Sequence, residues 1–156
     1  MKVLITYNIV DESIGDDYLC HYGVMEAVES VSSALKELGY SFTVLGIGDD
    51  IDEEIKQLIN SDADVVFNLC ESIKGKSRLQ PCFAGTLELL DIPYTGSDFE
   101  ATILAIDKRK TKALLKMNSI PTPADWDIHS LIRGDISLDD IDLPVIIKPS
   151  KEDGSI

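Results

Sequence analysis

Over its first hundred residues the chain alternates two hydrophobic periods, and that alternation restricts the folds open to it. Lys2 to Tyr7 is β-prone and alternating, so it reads as a strand. Asn8 to Tyr18 carries Asp11, Glu12, Ser13, Gly15, Asp16 and Asp17 and reads as a long loop. From Gly23 to Leu38 the apolar residues Val24, Val28, Val31, Leu35 and Leu38 form a helical stripe. Gly39 follows as a natural terminator. Ser41 to Leu45 is a second strand. Asp49 to Glu54 then opens a helix with Ile51, Ile55, Leu58 and Ile59 on one face, its acids complementing the helix dipole. Val65 to Leu69 is a short buried strand, Pro81 to Leu90 a helix, and Ile92 to Thr95 a further short strand. Asp98 to Ile106 and Lys108 to Met117 are two successive helices. Strands separated by helices must run parallel, joined by crossovers. A Rossmann-like, three-layer α/β domain with a parallel sheet is therefore expected over residues 1–106.

After Pro121 the texture changes. Pro121, Pro123 and Trp126 precede an acidic stretch from Gly134 to Asp142 and an apolar strand expected at Val145 to Lys148. Residues 107–156 read as the start of a second unit, and a length of 156 residues suits one domain plus such a start. No apolar run approaches the roughly 20 residues needed to span a bilayer. The N-terminus turns polar too soon for a signal peptide. Cys20, Cys70 and Cys82 are odd in number and form no C-x-x-C, so reduced thiols in a cytoplasmic protein are expected. A net charge of -14 argues against a broad nucleic-acid surface.

Several motifs fail on their residues. Gly46-Ile47-Gly48-Asp49-Asp50-Ile51 starts like a dinucleotide fingerprint, but Ile51 replaces the third glycine and two acids would face the pyrophosphate. There is no Walker A sequence and no G-x-S-x-G elbow. The acid run from Asp49 to Glu54 lacks the central glycine of a calcium loop. His21, at a helix start, and His129, in a late loop, are isolated, and no metal-ligand spacing is present.

What remains is a set of cations. Lys108, Arg109, Lys110, Lys112 and Lys116 cluster in an otherwise acidic chain. Lys108 opens a helix after Asp107, where backbone N–H groups already point outward. Lys148 closes an apolar strand before Pro149. Ser150 to Ser155 is a glycine-containing turn that can aim N–H groups at phosphate. Two lysines and a covering turn would hold a nucleotide polyphosphate, provided that both lysines converge on one cleft. The plainer alternative is a solvated helix face, an ordinary β-turn, and Lys148 as an edge residue with its stem on apolar surface.

At these residues the chain resembles a family. The run Leu87-Glu88-Leu89-Leu90, Ile92-Pro93-Tyr94-Thr95-Gly96-Ser97, Asp107-Lys108, Thr111-Lys112, Ile120-Pro121-Thr122-Pro123 and Leu143-Pro144-Val145-Ile146-Ile147-Lys148-Pro149 is similar to D-alanine–D-alanine ligase and its ATP-grasp relatives. The likeness runs from about Val65 to the end of the chain; before Val65 it is architectural. It implies a pre-ATP-grasp domain over 1–106 and the beginning of an ATP-grasp central domain over 107–156. It implies that Lys108 and Lys148 contact ATP phosphates, with Gly154 and Ser155 in the loop above them. It also implies a reaction in which ATP phosphorylates a carboxylate and an amine attacks the acyl phosphate. The magnesium that bridges the phosphates would take its ligands from further along the family's chain.

The pattern departs from the dipeptide ligases where they carry His-Gly and then Gly-Glu-Asp-Gly; here stand Glu71-Ser72 and then Lys74-Gly75-Lys76-Ser77. The phosphate loop differs too, with Asp153-Gly154-Ser155 after Glu152, and Glu12 is the nearest candidate for the first loop's acid. Glu71 and Glu12 are the expected substrate-binding residues, with Glu71 meeting an ammonium group. The partners implied are small-molecule carboxylate and amine substrates of amino-acid type, with no nucleic acid or membrane, and a homodimer as one allowed assembly. The chain reads as the N-terminal portion of a longer ligase, inactive alone. The alternative is a non-catalytic α/β binding module on the same scaffold.

Overall fold

The computed structural model describes residues 1–9 and 18–151, with side chains from Gly23 onward in the second stretch. Three strands, β1 (Lys2–Asn8), β2 (Ser41–Ile47) and β3 (Val65–Leu69), form a parallel sheet in the order β2-β1-β3. β1 is central. Its Leu4 pairs with Thr43 on one side and with Val66 on the other. The expected fourth strand at Ile92 to Thr95 is reduced to a single parallel bridge, Val66 to Tyr94. Val66 N–H donates to the Pro93 carbonyl at 2.8 Å, and Thr95 N–H donates to the Val66 carbonyl at 3.0 Å.

Both faces of the sheet are covered, which is why β1 reads as an apolar run rather than a strict alternation. Val3 and Ile5 pack with Val28 and Leu35 of helix α1 (Tyr18–Glu37). On the other face Leu4, Leu45, Ile47 and Val66 pack with Leu58 of α2 (Ile51–Ile59) and with Phe83 and Leu87 of α3 (Gln80–Leu89). Three layers result, as the alternating periods require.

The helix ends follow local chemistry. Asp50 caps α2, its side chain accepting from Glu53 N–H at 3.3 Å. α1 ends on Gly39 at φ +74, with Tyr40 N–H donating to the Leu35 carbonyl at 3.0 Å and Gly39 N–H to that of Lys36 at 3.1 Å. That paired closure needs a left-handed residue, which only glycine adopts without strain. A Gly39→Ala chain is expected to lose about 1 kcal/mol, read as a lower urea midpoint with an unchanged slope.

Beyond α3, α4 (Phe99–Ala105) and α5 (Lys108–Met117) follow in succession, each capped by an aspartate: Asp98 accepts from Ala101 N–H at 2.7 Å, and Asp107 caps α5. Two corrections belong here. Residues 145–148 are not a strand; no described residue pairs with them, and Ile146 and Ile147 are exposed. A strand exists only through its ladder, so apolar β-prone composition does not suffice. His129 lies not in a loop but in a short helix, α6 (Ile128–Ile132), capped by Asp127.

Candidate functional site

The order β2-β1-β3 reverses direction at β1. In open parallel sheets ligands bind at such a reversal, outside the carboxyl ends of the strands. A cleft of about 700 Å³ opens there. Its walls come from the end of β3 (Asn68, Leu69) and the following Cys70 and Glu71, from Gln80 and Ala84 of α3, from Thr95-Gly96-Ser97, and from Lys108 at the start of α5.

Buried amides fix the floor. Asn8, the last residue of β1, is 5% exposed, and its Oδ1 accepts from Glu71 N–H at 3.0 Å. Asn68 Oδ1 accepts from Cys70 N–H at 3.0 Å and from the Thr6 hydroxyl at 3.3 Å. Asn68 N–H donates to Thr95 Oγ1 at 3.1 Å. A buried backbone N–H must find an acceptor, and these side chains supply it where the strands stop. The loop after β3 is thereby tied to the ends of β1 and β3 and to the 95–97 turn.

Glu88 closes the other side. Its Oε1 accepts from Tyr94 Oη at 2.6 Å and from Phe99 N–H at 2.8 Å, so one carboxylate holds both ends of the 94–99 segment. Loss of solvent around Tyr94, reinforced by the Glu88 carboxylate, pushes its phenol up to about 12, so it stays a neutral donor. Burial likewise pushes the Cys70 thiol up to about 12, against a smaller downward pull from its Thr6 hydrogen bond. Cys70 is therefore a cleft-wall thiol and not a nucleophile at neutral pH.

Lys108 is placed by Asp107, whose Oδ1 accepts from Arg109 and Lys110 N–H, each at 3.2 Å. The Lys110 N–H bond chiefly holds the Asp107 carboxyl below its usual range, opposing the upward push of burial. A lowered folded value means that this stabilisation is present at neutral pH and is lost as pH falls below about 4 and through the folded value. Asp107→Ala is expected to cost about 1 kcal/mol at neutral pH, and less in acid. Paired thermal melts of the two proteins at pH 7 and pH 3 check this; an equal loss at both would refute it.

The expected phosphate residues separate. Lys108 lines the cleft, and its backbone N–H donates to the Ser150 carbonyl at 2.9 Å, bringing the 148–151 segment to the start of α5. Lys148 is exposed and is not among the lining residues. Glu71 lines the cleft. Glu12, Gly154 and Ser155 lie outside the described residues.

The basic cluster also divides. Arg109 pairs with Asp127 at 2.9 Å, Lys116 with Asp125 at 2.8 Å and Lys112 with Asp125 at 3.8 Å. Lys112 Nζ further donates to the Pro123 carbonyl at 3.2 Å, and Lys110 sits 3.8 Å from Asp107. The hydrogen bond from Lys116 holds the Asp125 carboxyl low, against the upward push of burial. These cations fasten the 123–127 segment along α5, and Lys108 alone of the five enters the cleft wall.

Sequence reasoning missed Asn8, Asn68 and Glu88 as organising residues. The available signal for the two asparagines was an amide at the carboxyl end of an apolar strand. Among the described residues no group of three or more His, Cys, Asp or Glu side chains could hold a metal ion. No helix of the described residues is long and apolar enough to cross a membrane.

No protein-family model matches the chain. It is 35% identical over 130 residues to a D-alanine–D-alanine ligase of Aquifex aeolicus (strain VF5), covering 82% of this chain and 42% of that protein. It is 34% identical over 137 residues to the ligase of the same name from Desulforamulus reducens, with 82% and 42% covered. The crystal structure of D-alanine–D-alanine ligase from Bacillus anthracis complexed with ATP superposes with a TM-score of 0.56 at 20% identity, over 85% of this chain and 42% of that one. That likeness carries the fold. The chain spans about two fifths of the length of the relatives it matches, 42% in each case. By sequence and by fold together, the chain belongs to the D-alanine–D-alanine ligase-like ATP-grasp family, matching the N-terminal portion of its members.

Proposed function

We propose that this region serves an ATP-dependent carboxylate–amine ligase, supplying one wall of the substrate site and the first phosphate-binding cation. Residues 1–106 act as the pre-ATP-grasp domain and residues 107–156 as the beginning of the ATP-grasp central domain. The observation that carries the reading is the placement of a carboxylate, Glu71, and an ammonium, Lys108, in the wall of one cleft at the strand ends. Glu71 receives the ammonium of an amino-acid substrate, with Glu12 as a second acidic contact. Lys108 receives ATP phosphate, joined by Lys148, Gly154 and Ser155.

In the reaction a substrate carboxylate oxygen attacks the terminal phosphorus of ATP, and ADP leaves. The amine nitrogen then attacks the acyl carbon, loses a proton, and inorganic phosphate departs with the acyl oxygen. The chain's own residues orient the reactants and offset phosphate charge; they form no covalent bond. Magnesium supplies further charge neutralisation in such chemistry, but the described residues contain no cluster that fits it, so no step is assigned to it. The cytoplasm, where ATP and free amino acids occur together, is the compartment that suits this reaction.

Phosphate release by the ligase containing this region, screened across pairs of amino acids, tests the activity. A pair-dependent signal is expected, and ATP-independent behaviour would overturn it. Glu71→Gln tests the role of that carboxylate: about a tenfold loss of amino-acid affinity is expected, since a hydrogen bond to a charged group is worth roughly 1.5–3 kcal/mol. Unchanged affinity would remove Glu71 from the site.

A further inference from the structure

Glu71 and Gln80 both line the cleft, and the segment between them holds three cations in five residues: Lys74, Lys76 and Arg78. This segment is held as a frame along its length. Asn8 and Asn68 accept from the N–H groups of Glu71 and Cys70 at its start. Ile73 is 7% exposed and anchors in the core beside α3. Lys76 N–H donates to the Ile73 carbonyl at 3.0 Å, closing a two-residue turn. Lys74 and Gly75 have φ +52 and +63, the positive values that a type I′ turn requires. Leu79 N–H donates to the Lys76 carbonyl at 2.9 Å, leading through a short 3₁₀ turn (Ser77–Leu79) into α3.

The three side chains are exposed, and none forms an ion pair with a carboxylate among the described residues. In a chain of net charge -14 this is unusual, because acids are plentiful. The contrast with α5 is direct: Arg109, Lys110, Lys112 and Lys116 all pair internally. Cations fastened to a rigid turn whose two ends lie in a binding wall favour an anionic group at its rim, at little ordering cost.

We propose that the Lys74–Arg78 turn recognises a second carboxylate on the substrate, so that the cleft selects a dicarboxylic amino acid over a neutral one. The inference rests on the reading of the cleft as an amino-acid site. Within that reading Lys108 meets the nucleotide, and Glu71, at the head of the turn, meets the substrate ammonium. The turn's positive charge therefore falls on the substrate side of the cleft.

Calorimetric titration of the 156-residue chain with glutamate, aspartate and alanine, each in both enantiomers, tests the proposal beside a variant carrying Lys74→Gln, Lys76→Gln and Arg78→Gln. One dicarboxylic amino acid is expected to bind about tenfold more tightly than alanine, on the scale of one charge-assisted hydrogen bond. The advantage should shrink in high salt and vanish in the triple variant, while alanine binding persists. Lys74→Glu, also at an exposed turn position, should invert the preference. Equal affinity for glutamate, aspartate and alanine overturns the proposal, as does a preference that survives the triple variant. If the triple variant weakens ATP and leaves amino acids unaffected, the turn belongs to the nucleotide and the proposal is wrong. If no amino acid binds at all, the cleft reading itself fails and takes this inference with it.

Discussion

Leu87→Ala is expected to lower stability by about 3 kcal/mol, the middle of the range for deleting a buried leucine side chain. Leu87 is 0% exposed and lies in the cluster that joins α3 to the sheet through Val66, Leu58 and Phe83. Its removal leaves a void bounded by three elements, so no single side chain can relax into it. For a domain of this size the loss corresponds to a fall of about ten degrees in melting temperature. The effect should reach the cleft as well. Leu87 neighbours Glu88, which holds Tyr94 and Phe99, and α3 also contributes Gln80 and Ala84 to the cleft wall. Thermal and urea unfolding of Leu87→Ala beside Leu89→Ala checks this, because Leu89 is 86% exposed on the same helix and should cost little. Equal losses at the two positions would mean that α3 does not pack as described.

The architecture was legible wherever structure is set by neighbours in sequence. Val65–Leu69 and Lys108–Met117 have the bounds that composition and capping predict. Asp50, Asp98 and Asp107 cap the helices that follow them, and Gly39 closes α1. Such features need no distant partner. The three-layer arrangement followed as well, because a parallel sheet with helical crossovers has both faces to cover.

What sequence could not supply was the pairing of groups far apart. Asn8 and Glu71 are 63 residues apart, and nothing in either tetrapeptide announces their hydrogen bond. The basic run on α5 looked like one anion site. Its partners, Asp125 and Asp127, stand 9 and 18 residues beyond the Lys116 and Arg109 they bind, and they neutralise most of it. Residues 145–148 were misjudged for the reverse reason: their composition suits a strand, but no described residue offers them a ladder. The five residues of α6 are too few for a hydrophobic period to register.

Family membership and the functional motifs were carried by Tyr94 to Ser97, Asp107-Lys108 and Leu143 to Pro149 acting together. The structure adds physical roles to two of these groups. Tyr94 to Ser97 forms a cleft wall held by Glu88, and Asp107 sets the helix start that places Lys108.

The central claim is that Lys108 meets nucleotide phosphate in the cleft at the carboxyl ends of β1 and β3. Its most direct test is a titration of ATP into the chain and into Lys108→Met, with Lys56→Met as a control on an exposed lysine that pairs with Glu53 on α2. A charge-assisted contact to phosphate is worth roughly 1.5–3 kcal/mol, so Lys108→Met should weaken ATP about ten- to hundredfold with unfolding behaviour unchanged, and Lys56→Met should bind as the parent does. ATP affinity that is the same in all three proteins would contradict the account.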